Sequence, residues 1–205
     1  MKTTFADFGL PEKILDVLAD LELFEPTPIQ EKSFSPILSG RDVMGIAQTG
    51  TGKTAAFAIP IIHHLHRIEG SSKKTKQIRC LVVTPTRELA VQIGESFDTY
   101  GKYTNLRQLT IFFFFFQVPQ VDQLKKGVDI LIATPGRLLD LHKQGFVDFD
   151  HLHFLVLDES DLMLDMGFIN DVKKIVKLVP TNRQTLLFSA TMPMAIRELA
   201  DSFLT

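Results

Sequence analysis

Six stretches of this chain, Asp42–Ala47, Arg79–Thr84, Arg107–Phe112, Val128–Thr134, Phe154–Asp158 and Thr185–Ser189, are short and mostly run continuously through Val, Ile and Leu. A strand with one wet face alternates apolar and polar residues, whereas a strand covered on both faces does not. Between these runs apolar residues recur at helical spacing, in Lys53–His66, Glu88–Tyr100, Gly136–Lys143, Ile169–Leu178 and Ala195–Phe203. Pro11–Leu21 and a helix beginning at Thr27 precede the first run. This order predicts an α/β fold, a mostly parallel β-sheet with helices on both faces. No repeat and no Pro/Gly/Ser linker divides the 205 residues, so a single domain is expected over 1–205.

Composition narrows the function classes. Lys+Arg at 22 against Asp+Glu at 24 leaves a net charge of −2, so any nucleic-acid site has to be a local patch or a surface of backbone donors. The lone cysteine, Cys80, excludes an internal disulfide framework and reads as a small buried hydrophobe in an apolar strand. His63, His64 and His66 share a helix with no acidic or cysteine partner nearby in sequence, and read as solvated or half-buried side chains. The polar stretch Glu69–Lys76 reads as a solvated loop. The N-terminal residues lack an apolar signal core, and no uncharged run approaches the ~18 apolar residues of a membrane span; a cytoplasmic location is expected.

Ala47–Thr54 reads AQTGTGKT, directly after an apolar run and at the start of a helical one. Gly50 and Gly52 let the backbone curl so that successive N–H groups point inward, and the following helix adds its positive end, an arrangement suited to phosphate oxygens. Lys53 is placed to reach β- and γ-phosphates, and the Thr54 hydroxyl to ligate Mg²⁺. About a hundred residues on, FLVLDESD (Phe154–Asp161) ends an apolar strand in acidic residues. Asp158 sits where an α/β sheet binds ligands and is placed to hold Mg²⁺, while Glu159 can orient and deprotonate an attacking water. An acidic start to a helix is the alternative reading of the same residues.

With these residues in view, the chain resembles the first RecA-like domain of DEAD-box RNA helicases. FEPTPIQ (Phe24–Gln30) resembles the family's Q motif, AQTGTGKT motif I, PTRELA (Pro85–Ala90) motif Ia, TPGR (Thr134–Arg137) motif Ib, DESD (Asp158–Asp161) motif II and SAT (Ser189–Thr191) motif III. The resemblance implies a RecA-like P-loop NTPase domain that binds ATP and Mg²⁺ and one face of single-stranded RNA, with residues 1–30 as the Q-motif region. It implies that Gln30 reads the adenine edge, that Phe5 packs near the base, and that Gln48, Thr49, Gly50, Thr51, Gly52, Lys53 and Thr54 bind nucleotide. It implies catalytic roles for Lys53, Asp158 and Glu159, with Thr54 and Asp158 on the metal. Pro85, Thr86, Arg87, Thr134, Gly136 and Arg137 would touch RNA, and Asp161, Ser189 and Thr191 would couple nucleotide state to RNA. It further implies a second RecA-like domain outside these residues, so that this piece hydrolyses ATP feebly and unwinds nothing by itself. Thr27-x-x-Gln30 also reads as a capping box, and Thr134-Pro135 as a helix start; capping and ligand roles are compatible.

The chain departs from the family at three places. Ser160 stands where motif II has Ala, and Leu23 where the family has an adenine-stacking aromatic, with Phe24 one place off. Phe112–Phe116 is an uninterrupted run of phenylalanine, and Phe113 and Phe114 occupy the places of a Gly-Gly pair that admits RNA backbone. Two rings there are expected to block that approach, and an exposed run of this kind favours aggregation. Two other classes share parts of the pattern, a P-loop ATPase acting on DNA and a non-catalytic nucleotide- or RNA-binding module. FEPTPIQ with PTRELA speaks against the first, and the intact Lys53, Asp158 and Glu159 against the second.

Overall fold

Each of the six apolar runs becomes a strand, and all are parallel. The computed structural model describes residues 1–68 and 76–205, so all but the last residue of the polar stretch Glu69–Lys76 lies outside the described residues. In chain order, a 3-10 turn (Phe5–Phe8), α1 (Glu12–Asp20) and α2 (Pro28–Leu38) precede β1 (Val43–Ile46). Then come α3 (Lys53–Ile68), β2 (Cys80–Val83), α4 (Arg87–Tyr100), β3 (Gln108–Ile111), α5 (Gln117–Lys126) and β4 (Ile130–Ala133). The chain continues through α6 (Pro135–Lys143), β5 (Phe154–Leu157), α7 (Ser160–Asp165), α8 (Ile169–Leu178), β6 (Gln184–Ser189) and α9 (Met194–Phe203). Among the described residues the strands form one sheet in the order β1-β6-β5-β2-β4-β3.

The central strands β2, β5 and β4 are buried along their whole length. The pleat sends successive residues to opposite faces, and the core divides accordingly. Cys80, Val82, Ile130, Ile132, Val156 and Phe188 pack with α1, α2, α3 and α4. Leu81, Val83, Leu131, Leu155, Leu157 and Leu187 pack with α5, α6, α8 and α9. Burial also pushes the Cys80 thiol well above its ordinary range, which makes it an inert core residue. At the edge, β1 approaches β6 through Gly45, where an added Cβ would lie 2.5 Å from the Phe188 ring; only a residue without a side chain fits there.

One helix was not anticipated from the sequence: α5 (QVPQVDQLKK) carries too few apolar residues for a clear helical period. The acidic residues after β5 do open a helix, the six-residue α7, which ends in a glycine stop. Gly167 has φ +78°, its N–H donates to the Leu164 carbonyl at 3.1 Å, and Phe168 N–H donates to the Met163 carbonyl at 2.8 Å, the paired bonds of a Schellman motif. No helix among the described residues is long and apolar enough to cross a membrane.

Candidate nucleotide site and nucleic-acid face

In a parallel sheet the turns after the strands gather along one edge, and here they carry AQTGTGKT, PTRELA, TPGR, DESD and SAT, while FEPTPIQ lies ahead of β1 at the start of α2. β1 leads into the Ala47–Thr54 loop, with Ala47 N–H donating to the Ser189 carbonyl at the end of β6 (3.1 Å). Gly50 (φ +86°) and Gly52 (φ +82°) take the left-handed conformation that curls the loop, and Lys53 opens α3. The Thr51 hydroxyl closes a turn onto the Gln48 carbonyl at 2.6 Å.

Lys53 is almost fully buried. Its Nζ lies 2.6 Å from Glu159 Oε1 and 2.9 Å from Asp158 Oδ1, and the Thr49 hydroxyl donates to the same Glu159 oxygen at 3.0 Å. Burial would drive the ammonium to lose its proton, but Asp158 and Glu159 hold its pKa above the ordinary lysine value. Asp158 is pushed the other way from a normal carboxylate: burial raises its pKa, and Lys53 only partly offsets that. Its Oδ1 has the Lys53 ammonium as its partner, at 2.9 Å. Glu159 itself sits at φ +55°, a left-handed conformation that turns its side chain back over the loop. These groups line a cavity of about 570 Å³ together with Gly50, Gly52 and Thr54. A second cavity, about 580 Å³, lies on the other side of the loop against Thr27, Lys32, Gln48 and Thr51.

The acidic strand end also contacts β6. The Ser189 hydroxyl accepts from Asp161 N–H at 3.1 Å, and Asp161 Oδ2 accepts from both Thr191 N–H (3.0 Å) and the Thr191 hydroxyl (2.9 Å). Partial burial pushes the Asp161 carboxyl up, but these bonds outweigh it and its pKa ends below the ordinary value. Ser160, fully buried, turns its hydroxyl to the Leu157 carbonyl at 3.3 Å. Further along the sheet, β2 and β4 pair in register with Val83 beside Ala133, which sets the starts of α4 and α6 side by side. Thr86 caps α4 through its hydroxyl, which accepts from Leu89 N–H at 3.3 Å.

This ordered set of loops is matched by the DEAD/DEAH box helicase family over residues 27–199. The chain belongs to that family. It is 46% identical over 200 residues to the probable ATP-dependent RNA helicase DDX17 of Mus musculus, covering 98% of this chain and 31% of that protein. It is 44% identical over 202 residues to ATP-dependent RNA helicase CshA of Listeria monocytogenes, with 98% of this chain and 38% of that one covered. Over 207 residues it is 45% identical to ATP-dependent RNA helicase DeaD of Escherichia coli, covering 99% of this chain and 32% of the other. The chain thus spans about a third of the length of these relatives.

As a DEAD/DEAH box domain, the chain places its Q-motif residues as follows. Gln30 accepts from Thr27 N–H at 3.0 Å and donates to the Gly52 carbonyl at 3.1 Å, so its amide ties the start of α2 to the phosphate loop. An added Cβ at Gly52 would lie 2.5 Å from Gln30 Nε2 and 2.8 Å from Thr27 Oγ1. Thr27 and Lys32, walls of the second cavity, were not singled out from the sequence as ligand-facing residues. Phe5 is buried against Phe34, with ring centroids 5.9 Å apart, and its N–H donates to the Phe24 carbonyl at 3.1 Å. It anchors the Q-motif turn from below, while Leu23 and Phe24 stay exposed.

On the second face, Pro85 is buried, Thr86 half-buried and Arg87 exposed, with its guanidinium 5.9 Å from the Phe112 ring centroid. Thr134 precedes α6, and its N–H donates to the Ile111 carbonyl at 3.3 Å. Arg137 is buried and committed to its own fold. It donates to Gln120 Oε1 (3.3 Å), Asp140 Oδ2 (3.1 Å) and the Phe115 carbonyl (3.2 Å), and its guanidinium stands 5.3 Å from the Phe113 ring centroid. The phenylalanine run forms a turn, not a continuation of β3. Phe113 lies over Gly136, where an added Cβ would come within 2.7 Å of the ring. Phe114 has φ +67°, the conformation that a glycine at its place would adopt without strain.

Proposed function

We propose that this chain is the ATP-binding and ATP-hydrolysing domain of an ATP-dependent RNA helicase, acting in the cytoplasm with a second RecA-like domain. The observation that carries the reading is the convergence of Asp158 and Glu159 on the Lys53 ammonium, each within 2.9 Å of it, beneath a glycine-curled loop at the head of α3. In this reading Lys53 exchanges its carboxylate partners for the β- and γ-phosphates, and loop N–H groups take the remaining phosphate oxygens. Asp158 and Thr54 are the residues that would hold Mg²⁺. The buried Asp158 Oδ1, held in the empty site by the Lys53 ammonium at 2.9 Å, fits a group that a cation can take over. When bound, that ion supplies charge neutralisation between phosphate oxygens. Glu159, released from Lys53, orients the attacking water and accepts its proton. Gln30 and the second cavity receive the base. The exposed Arg87, with Thr86 and Thr134 at the starts of α4 and α6, faces RNA phosphates, while Gly136 beside them lies under the Phe113 ring.

Asp161, with Ser189 and Thr191, joins the catalytic strand end to β6 and so couples the nucleotide to that face. The test is ATPase activity of this chain with and without single-stranded RNA, and with and without the second domain of a relative added in trans. RNA-stimulated hydrolysis that depends on the second domain is the expected result. Stimulation by DNA alone, or ATP binding with no hydrolysis under any condition, would overturn it.

A further inference from the structure

The exposed aromatic loop beside α4 and α6 has no role in the nucleotide site. Phe113 is 44% exposed, Phe114 101%, Phe115 52% and Phe116 81%, a contiguous display of apolar rings at the head of α5. Water contact at several phenylalanine rings is costly, and patches of this kind mark binding surfaces. The rings do not stand alone: Arg87 lies over Phe112 and Arg137 over Phe113. Arg87 is the exposed cation here; Arg137 is spent on Gln120, Asp140 and Phe115. The loop therefore offers flat π-faces next to the exposed Arg87 guanidinium, whose ion pair is with the equally exposed Glu88 at 3.5 Å, on the same edge as the candidate RNA face. A ligand complementary to both alternates negative phosphates with flat aromatic groups, which is the chemistry of a single-stranded nucleic acid.

We propose that the Phe113–Phe116 loop is a base-stacking element, with Phe114 and Phe116 receiving nucleobases of single-stranded RNA while Arg87 meets the adjoining phosphate. The proposal rests on the reading of this face as an RNA site, and adds that the strand is held here through its bases. Phe113 closes over Gly136 and so denies the backbone its approach at that point. A neighbouring nucleotide then reaches the protein with its base, for which Phe114 and Phe116, the two most exposed rings, are open. Stacking of this type is indifferent to sequence, because every base has a π-face.

The experiment uses this chain and a short single-stranded RNA containing 2-aminopurine, with binding read by anisotropy and stacking by quenching. A Phe114→Leu/Phe116→Leu double variant keeps the patch apolar but removes the π-faces. It should bind at least about fivefold more weakly and lose the quenching, since stacking on an aromatic side chain is worth roughly 1–3 kcal/mol per base. A Phe114→Tyr/Phe116→Tyr variant should bind like the parent. An RNA with abasic sites should erase the difference between parent and Leu variant. Equal or tighter binding by the Leu variant overturns stacking while leaving the RNA reading in place. No RNA binding by the parent or any variant, at any salt concentration tried, overturns the RNA reading and this proposal with it. Dimerisation by the parent that the Leu variant loses, with RNA affinity unchanged, overturns it in favour of a second copy of the chain as the occupant.

Discussion

Replacing Lys53 with Met is expected to unfold the empty site more than it disturbs anything else. Methionine matches the lysine stem in length and apolarity, so the buried space stays filled and the change isolates the charge. What remains is Asp158 and Glu159, 2% and 7% exposed, facing each other across the place of the missing ammonium. Breaking a buried pair by removing one partner costs about 3–5 kcal/mol. The native state can escape by protonating one carboxyl. Near pH 7 that costs about 4 kcal/mol for a group whose ordinary pKa is about 3.9, at about 1.4 kcal/mol per unit. The two routes agree, so a loss of about 4 kcal/mol is expected, a large share of the ~5–15 kcal/mol that stabilises a typical domain.

The pH dependence of this loss has a definite sign. Asp158 already has its folded-state pKa above the ordinary value, and removing Lys53 removes the charge that held it down. The folded variant therefore binds a proton that its unfolded chain has released, and its stability rises as pH falls. Between pH 7.5 and 5.5 the gap between parent and variant should close by about 1–3 kcal/mol. Urea unfolding without nucleotide, followed by circular dichroism at both pH values, reads this directly. A gap below about 1 kcal/mol at pH 7.5, or one that does not narrow on acidification, would refute the reasoning.

Glu159→Gln should leave ATP binding intact while hydrolysis, measured with a second RecA-like domain present, falls by about two to four orders of magnitude; equal losses of both would make Glu159 a structural residue. Gly52→Ala places a methyl 2.5 Å from Gln30 Nε2 at φ +82°, and should abolish nucleotide binding in a titration while lowering stability by about 1–2 kcal/mol or more. Phe114→Gly relieves a left-handed conformation at a fully exposed ring and should stabilise the fold, by up to about 1 kcal/mol in thermal unfolding, with less aggregation on heating. For Thr191→Ala the acid limb of the stability–pH curve should flatten. The lowered Asp161 pKa adds stability above the ordinary carboxylate range that is lost as pH falls through the folded value, and the substitution removes the hydroxyl bond while leaving the Thr191 N–H bond.

The sheet and the phosphate loop were legible in the sequence because their signals are local. Continuous Val, Ile and Leu runs mark strands covered on both faces, and glycines before Lys-Thr mark a phosphate turn. Helix α5 was hidden for an equally local reason: it is polar and carries a proline in its first turn. Contacts across the sheet edge were out of reach in kind. Nothing near Arg137 announces that Gln120, Asp140 and the Phe115 carbonyl will consume its donors. Nor does the placing of Phe5 in the sequence reveal that its ring belongs to the core while its N–H holds the Q-motif turn.

If Lys53 binds nucleotide as proposed, its contacts with Asp158 and Glu159 mean that the empty chain carries its own competitor. The carboxylates are tethered, so their effective concentration at the lysine is fixed by the fold and cannot be diluted away. Phosphate binds only to the fraction of molecules in which Lys53 has been released, and apparent affinity is scaled down by that fraction. Under the function proposed above, the same exchange would free Asp158 and Glu159 when phosphate arrives, so that an empty site keeps its proton acceptor occupied and the machinery for hydrolysis is assembled by the substrate it acts on.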